Sequence, residues 1–422
     1  MDKNVPADQQ TIRFKVFPKS ERVNEYSAEI AKLNAKGPRL VHDMTLNYEY
    51  ICIYPNLMQS KNLPRPLEKL KLIKALYLYF SESEVKDDMI LQKISQNIKS
   101  LSSLKTLKLQ FPYARWISLK GVEHLASALA QMKLLEKLIM NFNYAEWAND
   151  ESLHLLFKGL KKYKNLQSFH LDIPHCMNIT EKSFKSLAST FKHSLQSLKE
   201  LSLDFAGLNL IEGNGLDFLA SGLTNLAGLQ TFRINFSQLQ VSSIDIYSSF
   251  MSSIRHLKSL RVLVLNFSCL PVNASTLKHL AMSFKSLTRL HTLSLSFADC
   301  STFTFQEMEV LAQCLHSLAS SLKNLTLSFR CYYITDRALE KLSGGLEALT
   351  NLSEINLQCD SCPFVGDDGV ERVTYELGGL PNLHSVTLDF RSCRSIKDAY
   401  YNGLKMNKNI KNLTFYYARQ KV

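Results

Sequence analysis

The sequence predicts an α/β solenoid, and three observations carry that reading. A short alternation of apolar and polar residues recurs at steps of 30 to 32 residues, with a final step of 27. A stripe of apolar residues at helical spacing lies between successive copies. The composition fits: 422 residues, 45% hydrophobic, with only 15 Gly and 11 Pro, can bury a large core and leave little for flexible linkers.

The strands come first. Leu76-x-Leu78-x-Phe80, Leu107-x-Leu109-x-Phe111 and Leu138-x-Met140-x-Phe142 open a series. It continues from Phe169, Leu201, Phe232, Leu263, Leu293, Leu325, Ile355, Val386 and Leu413. Upstream, Ile12-x-Phe14-x-Val16 and Met44-x-Leu46-x-Tyr48 fit the same pattern, giving fourteen expected strands. Two-residue alternation means a strand with one buried face.

The helices follow. Leu119, Val122, Leu125, Leu129 and Met132 lie three or four apart, as do Leu339, Leu342, Leu346 and Leu349. Thr304 with Glu307 reads as a capping box, and Asn149-Asp150 and Thr335-Asp336 supply N-cap chemistry. Neither a three-residue strand face nor a one-stripe helix can bury itself, but stacked copies bury both. Right-handed crossovers then give a curved solenoid of about fourteen parallel strands on the concave face, with helices on the convex face. It is expected to run as one unit over 12–417, between tails at 1–11 and 418–422. Prolines between Pro55 and Pro66 make the second unit, around 49–70, irregular, and the short last unit is expected to act as a cap.

The Leu104-x-x-Leu107-x-Leu109 pattern and its copies resemble a leucine-rich repeat, and the unit length resembles the ribonuclease-inhibitor-like class. The stretches Cys331-Tyr332-Tyr333-Ile334-Thr335 and Cys176-Met177-Asn178-Ile179-Thr180 resemble its cysteine-containing subtype. The Phe two residues after the second strand Leu is similar to repeat proteins abundant in ciliates. The resemblance implies a binding surface rather than chemistry. Ribonuclease inhibitors bind basic targets, which a chain of net charge +12 would repel. Ran GTPase-activating proteins carry an acidic tail that this sequence does not show. Cysteine-containing repeats serve F-box receptors, but Leu63-Pro64 sits only twelve residues before Leu76, so a substrate-receptor role would need a separate adaptor.

Seven of the nine cysteines fall at multiples of the repeat: Cys52, Cys176, Cys269, Cys300, Cys331, Cys362 and Cys393. Ser83, Ala114, Ala145, Gly207 and Gln238 are expected at the same position in other units. A thiol there is a small buried hydrophobe whose weak donor can reach a turn carbonyl. Cys359-x-x-Cys362 has metal-ligand spacing, but no second Cys pair or nearby His pair completes a four-ligand site, so neither metal nor cofactor is expected.

The charge is positional. The ten residues before each strand after the first hold 23 Lys and Arg against 7 Asp and Glu. This expected basic edge includes Lys69, Lys71, Lys74, Lys133, Lys137, Lys161, Lys162, Lys164, Arg255, Lys258 and Arg261. Acids gather at helix starts: Asp87, Asp88, Asp150, Glu151, Asp367 and Asp368. Helix macrodipoles account for the segregation, at about 0.3–1 kcal/mol per charge, but not for the net excess. That excess suits an acidic protein, a nucleic acid or an anionic membrane surface.

The outward strand positions, such as Asn141, Asp172, Ser202, Asp204, Asn235 and Asn266, are polar and nearly neutral. The exceptions cluster early, at Tyr77, Tyr79 and Ile139, beside Lys108. Nearby strand exits carry Tyr113 with Trp116 and Tyr144 with Trp147, the two tryptophans of the chain. Aromatic residues of this kind anchor interfaces, or stack on one another as loop packing.

Hydrolase, P-loop and zinc-protease motifs are absent, and histidines such as His42, His124, His154 and His170 stand singly. The expectation is therefore a non-enzymatic protein-binding scaffold or assembly subunit. Its alternative is a basic-edge binder of RNA or anionic lipid. No apolar run is long enough to span a bilayer, and the first ten residues lack a signal core. With its thiols reduced, the chain is expected in the cytoplasm, with the nucleus or the cytoskeleton and cilium as alternatives.

Overall fold

The computed structural model describes residues 51–53, 74–79, 88–99, 101–115, 117–209, 211, 214–240, 246–397 and 402–417. Thirteen parallel strands form one open sheet whose spatial order is the chain order. They are β1 Ile51–Ile53, β2 Ala75–Tyr79, β3 Thr106–Gln110, β4 Lys137–Asn141, β5 Ser168–Asp172, β6 Glu200–Asp204 and β7 Thr231–Asn235. The series continues with β8 Val262–Asn266, β9 Thr292–Ser296, β10 Asn324–Ser328, β11 Glu354–Gln358, β12 Ser385–Phe390 and β13 Asn412–Tyr417. A helix joins each pair from β2 onward, as parallel neighbours require. The result is a horseshoe-like α/β solenoid, and among the described residues no helix is long and apolar enough to cross a membrane.

The strand pattern reads directly into the core. Leu107, Leu138, Phe169 and Leu201 pair in register across β3 to β6, and each is fully buried. One step past the strands, the recurrent Phe residues form a column of rings. Phe236, Phe267, Phe297 and Phe329 stand 6.0–6.1 Å apart from centroid to centroid. On the other side of the core each helix presents its stripe, for example Leu339, Leu342 and Leu346 from Asp336–Leu346.

Register is pinned at both ends of β3 to β9, β11 and β12. At entry, one carbonyl accepts two amides of the next repeat, as Lys105 O does from Glu136 N and Lys137 N. At exit, a residue with left-handed backbone turns the chain: Tyr113, Tyr144, His175, Gly207, Gln238, Cys269, Asp299, Ser361 and Ser392. Only Gly207 takes this conformation without strain, and a Cβ there would strike the His175 ring lying over it.

The N-terminal edge differs from expectation. The neighbour of β2 is Ile51–Ile53, seven residues downstream of the strand anticipated from Met44, with Ile51 opposite Leu76. Residues 12–16, 44–48 and most of 49–70 lie outside the described residues. The capping box at Thr304 and Glu307 forms as expected, while Thr335 makes no side-chain cap. Asn149 forms a capping box with Ser152.

Candidate functional site: the sheet face and two opposed edges

The register brings Tyr77, Lys108, Ile139 and His170 into one lateral row across β2 to β5. The first three are half-buried and face away from the core. Tyr79 pairs with Gln110 at the end of β2. The rest of the expected aromatic patch lies elsewhere. Tyr113 and Tyr144 occupy the left-handed turns at the strand-exit edge. Their rings stack at 5.0 Å, and Tyr144 stacks on His175 at 4.5 Å. Trp116 lies outside the described residues. Trp147 is a correction: it is 7% exposed and packs edge-on against Phe142, so it serves the core and not a surface. Its ring fills the space behind the turn, where an aliphatic side chain would leave a void.

Beside this row lies a polar hub. Glu200 accepts a hydrogen bond from Ser168 Oγ at 2.9 Å and pairs with Arg233 at 3.2 Å. His170 Nε2 stands 3.5 Å and Lys137 Nζ 3.9 Å from the same carboxylate. Ser, His and Glu together suggest a nucleophile triad, but the geometry denies it. Ser168 and Glu200 both face the same ring nitrogen of His170, and the serine proton goes to the carboxylate. Burial lowers the His170 pKa, with Lys137 and Arg233 adding to that against the pull of Glu200. Partial burial opposes ionisation of Glu200, yet the Ser168 bond and the nearby His170 and Lys137 charges hold its pKa below 4.5. The hub is an ion-pair network that ties β4 to β7.

The outward residues at the strand ends have a structural task. Asn141, Asp204, Asn235, Asn266 and Asp389 each accept the main-chain N–H two residues on, at 3.0–3.3 Å. Asp172 cannot do so, because Pro174 has no N–H. Burial and the neighbouring Asp204 charge raise its pKa to about 6, against weak relief from Asn141 and Lys108.

The two edges use their charges differently. On the helix-start edge, Asp150 receives Thr180 N at 3.0 Å, Thr180 Oγ1 at 2.6 Å, Ser183 N at 3.2 Å and Ser183 Oγ at 2.5 Å. It therefore caps the helix of the next repeat. Asp88 does the same through Ser118 N at 2.9 Å and Asp336 through Gly366 N at 2.7 Å, and Asp367 accepts Lys397 N at 3.0 Å. On the helix-end edge, Lys105 pairs with Glu136 at 2.7 Å. Lys74, Lys133, Lys161, Lys164, Lys258 and Arg261 are exposed and make no ion pair among the described residues. Arg255 donates to His256 at 3.3 Å, and Lys162 closes the short 3-10 turn Leu160–Lys162. Lys69 and Lys71 lie outside the described residues.

The thiols form a ladder. Cys176 Sγ donates to Phe142 O at 3.1 Å, Cys300 to Phe267 O at 3.2 Å, Cys331 to Phe297 O at 2.9 Å and Cys393 to Cys359 O at 2.9 Å. Burial pushes Cys300 and Cys331 up to about 12, so they remain thiols. Four members of the expected column are corrected. Cys269 is exposed in a left-handed turn, and the buried position belongs to Leu270. The step from Leu263 to Leu293 is 30 residues, so a 31-residue count slips by one. Gly207 and Gln238 slip likewise, with Leu208 and Leu239 buried in their stead. Cys52 lies within β1, not at a strand exit. Among the described residues, no group of three or more His, Cys, Asp or Glu could hold a metal ion.

Two exposed apolar features were not anticipated. Tyr332, Tyr333 and Phe364 cluster on the strand-exit edge, with Tyr332 5.1 Å from Phe364. Leu134 is 55% exposed on the basic edge. Its signal was present in the sequence: from Ser103 onward every other unit carries Ser, Asn, Arg or Gly in that repeat column. No protein family matches the chain, and no curated protein does.

Proposed function

We propose that the chain is a non-enzymatic protein-binding scaffold of the leucine-rich-repeat type, similar to the ribonuclease-inhibitor-like and cysteine-containing class. Its primary surface is the N-terminal part of the sheet face. The observation that carries this reading is the row of Tyr77, Lys108 and Ile139, held in register by three adjacent strands. From β6 onward the outward residues of that row are polar apart from Val264, as at Ser202, Ser294 and Thr326. An aromatic and an aliphatic residue flanking a lysine offer desolvated area plus one charge to a partner with an acidic group. Tyr113 and Tyr144 extend the surface over the adjacent edge. The thiol ladder supports residence in a reducing compartment such as the cytoplasm, because each donor needs its S–H.

The test is a quantitative affinity purification with the full chain, comparing wild type with Tyr77→Ala and Ile139→Ser. A partner retained by wild type and by a helix-face control, Lys182→Ser, should fall at least about tenfold with either variant. An unchanged partner profile would remove the sheet face from the proposal. The unpaired lysines of the helix-end edge favour a second reading, in which that edge engages a polyanion such as RNA or anionic lipid.

A further inference from the structure

The helix-end edge holds a shallow groove of about 370 Å³ lined by Lys105, Leu134, Glu136, Lys164, Asn165 and Lys199, among others. Leu134 occupies the position just before the buried leucine that leads into each strand. From Ser103 onward the other repeats place Ser, Asn, Arg or Gly there, while the two units upstream carry Leu40 and Leu72 in sequence. Four of the polar residues, Ser197, Asn351, Asn382 and Asn409, bond across the repeat boundary. Ser197 Oγ donates to Lys164 O at 2.5 Å, Asn382 Nδ2 to Thr350 O at 2.9 Å and Asn409 Nδ2 to Pro381 O at 2.7 Å. Each bond ties one repeat to the one before it. Leu134 forgoes that bond and leaves an aliphatic side chain 55% exposed at the lip of the groove. A leucine here is a loss for the fold, and a partner that covers it makes good the loss.

The rim says which partner. Lys164 and Lys199 border the groove and make no ion pair among the described residues, as do Lys133 and Lys161 nearby. Only Lys105 is neutralised, by Glu136 at 2.7 Å. We propose that this groove docks an acidic peptide segment of a partner protein, with an apolar side chain seated on Leu134 and carboxylates facing Lys164 and Lys199. The arrangement is an apolar anchor inside a charged rim. A nucleic acid fits less well. The groove carries no aromatic ring to stack a base, its wall includes Glu136, and a phosphate gains nothing from Leu134. The inference rests on the reading of the chain as a binding scaffold and adds a surface separate from the Tyr77 row.

The test uses a random dodecapeptide display library panned on the full chain and, in parallel, on Leu134→Asn, the residue several other repeats carry. Recovered peptides are then titrated by fluorescence anisotropy, beside polyuridylate and phosphatidylserine-containing vesicles. Acidic peptides bearing an apolar residue should be recovered. Leu134→Asn should weaken them about tenfold, and Lys164→Glu with Lys199→Glu at least as much, while thermal unfolding monitored by circular dichroism shows no loss of stability in either variant and a gain, if any, for Leu134→Asn. Recovery of peptides without acidic enrichment overturns the proposal. So does tighter binding of polyuridylate or vesicles than of any peptide. Peptides lost by Tyr77→Ala but kept by Leu134→Asn would sink the groove and leave the scaffold reading standing.

Discussion

The two long edges of the solenoid carry opposite charge, but the deeper difference is what the charges are bonded to. On the helix-start edge, Asp88, Asp150 and Asp336 each reach across to the next repeat and accept N–H or hydroxyl groups at its helix start, and Asp367 accepts Lys397 N. Their charge is consumed inside the fold. On the helix-end edge, Lys133, Lys161, Lys164, Lys258 and Arg261 point into solvent without an ion-pair partner among the described residues. A helix macrodipole favours both sets by similar small amounts. What separates them is hydrogen bonding: the acids have built-in donors, whereas the lysines have only the dipole and whatever binds them. The acidic edge is therefore architecture, and the basic edge is available surface.

The largest effect that tests this contrast is on Asp150. Asp150→Ala removes the acceptor for four donors at one repeat junction, and should destabilise by about 2 kcal/mol at neutral pH. Partial burial works against the charged form, but the bonds from Ser183 and Thr180 together outweigh it and hold the pKa below 3.8. A lowered folded pKa means stability that is present above the unfolded value near 4 and lost as pH falls through the folded one. The penalty of Asp150→Ala should therefore shrink towards zero in acid. Urea unfolding at neutral and acid pH checks this, and amide exchange should localise the loss to the start of the helix Glu181–His193. A penalty that ignores pH would mean that Asp150 contributes packing and not capping.

Periodicity made most of this architecture legible in advance, and the misses have physical causes. Strands such as Leu107–Leu109 were readable because inward leucines alternate and recur. The thiol ladder was readable because cysteines recur at the same period. Counting by a fixed period failed at Cys269, which holds the left-handed turn six residues after Leu263 as in the other repeats, while the missing residue falls between Leu270 and the helix cap Asn273. Periodicity also could not tell a capping carboxylate from a free one, since Asp150 and Glu151 look alike in sequence while only Asp150 reaches the next repeat. Trp147 was ambiguous for the same reason: a turn aromatic packs inward or outward depending on the room behind Phe142. Leu134 was illegible because it adjoins the buried Leu135, and sequence alone does not separate an exposed leucine from its buried neighbour.

A smaller effect, of opposite sign, sharpens the comparison within one column. Asp204 accepts Ala206 N at 3.0 Å, whereas Asp172 faces Pro174 and has no amide to cap. Burial and the Asp204 charge raise the Asp172 pKa to about 6. A raised folded pKa contributes stability that is fully present below the unfolded value near 4 and lost as pH rises through 6. Asp172→Asn should therefore stabilise the protein on the order of 1 kcal/mol at neutral pH, discounted for partial solvent exposure, and by almost nothing at pH 4. Thermal unfolding across that range decides it. No stabilisation at neutral pH would mean that the pair is already relieved by Lys108 or by solvent.

The smallest expected effect on stability falls on the basic edge, and its smallness is the point. Lys161→Ser with Lys164→Ser removes two charges near the end of the third described helix, Asp150–Gly159. If those lysines serve only the macrodipole, stability should fall by no more than about 0.5 kcal/mol each, and binding to any polyanion should be unaffected. If they are available surface, stability should be equally indifferent, but affinity for a polyanion probe such as heparin should drop together with its salt dependence. The two cases share a stability result and part on the salt slope. A slope that does not change on losing both lysines would return this edge to the same status as the acidic one, with its charge explained by the helices alone.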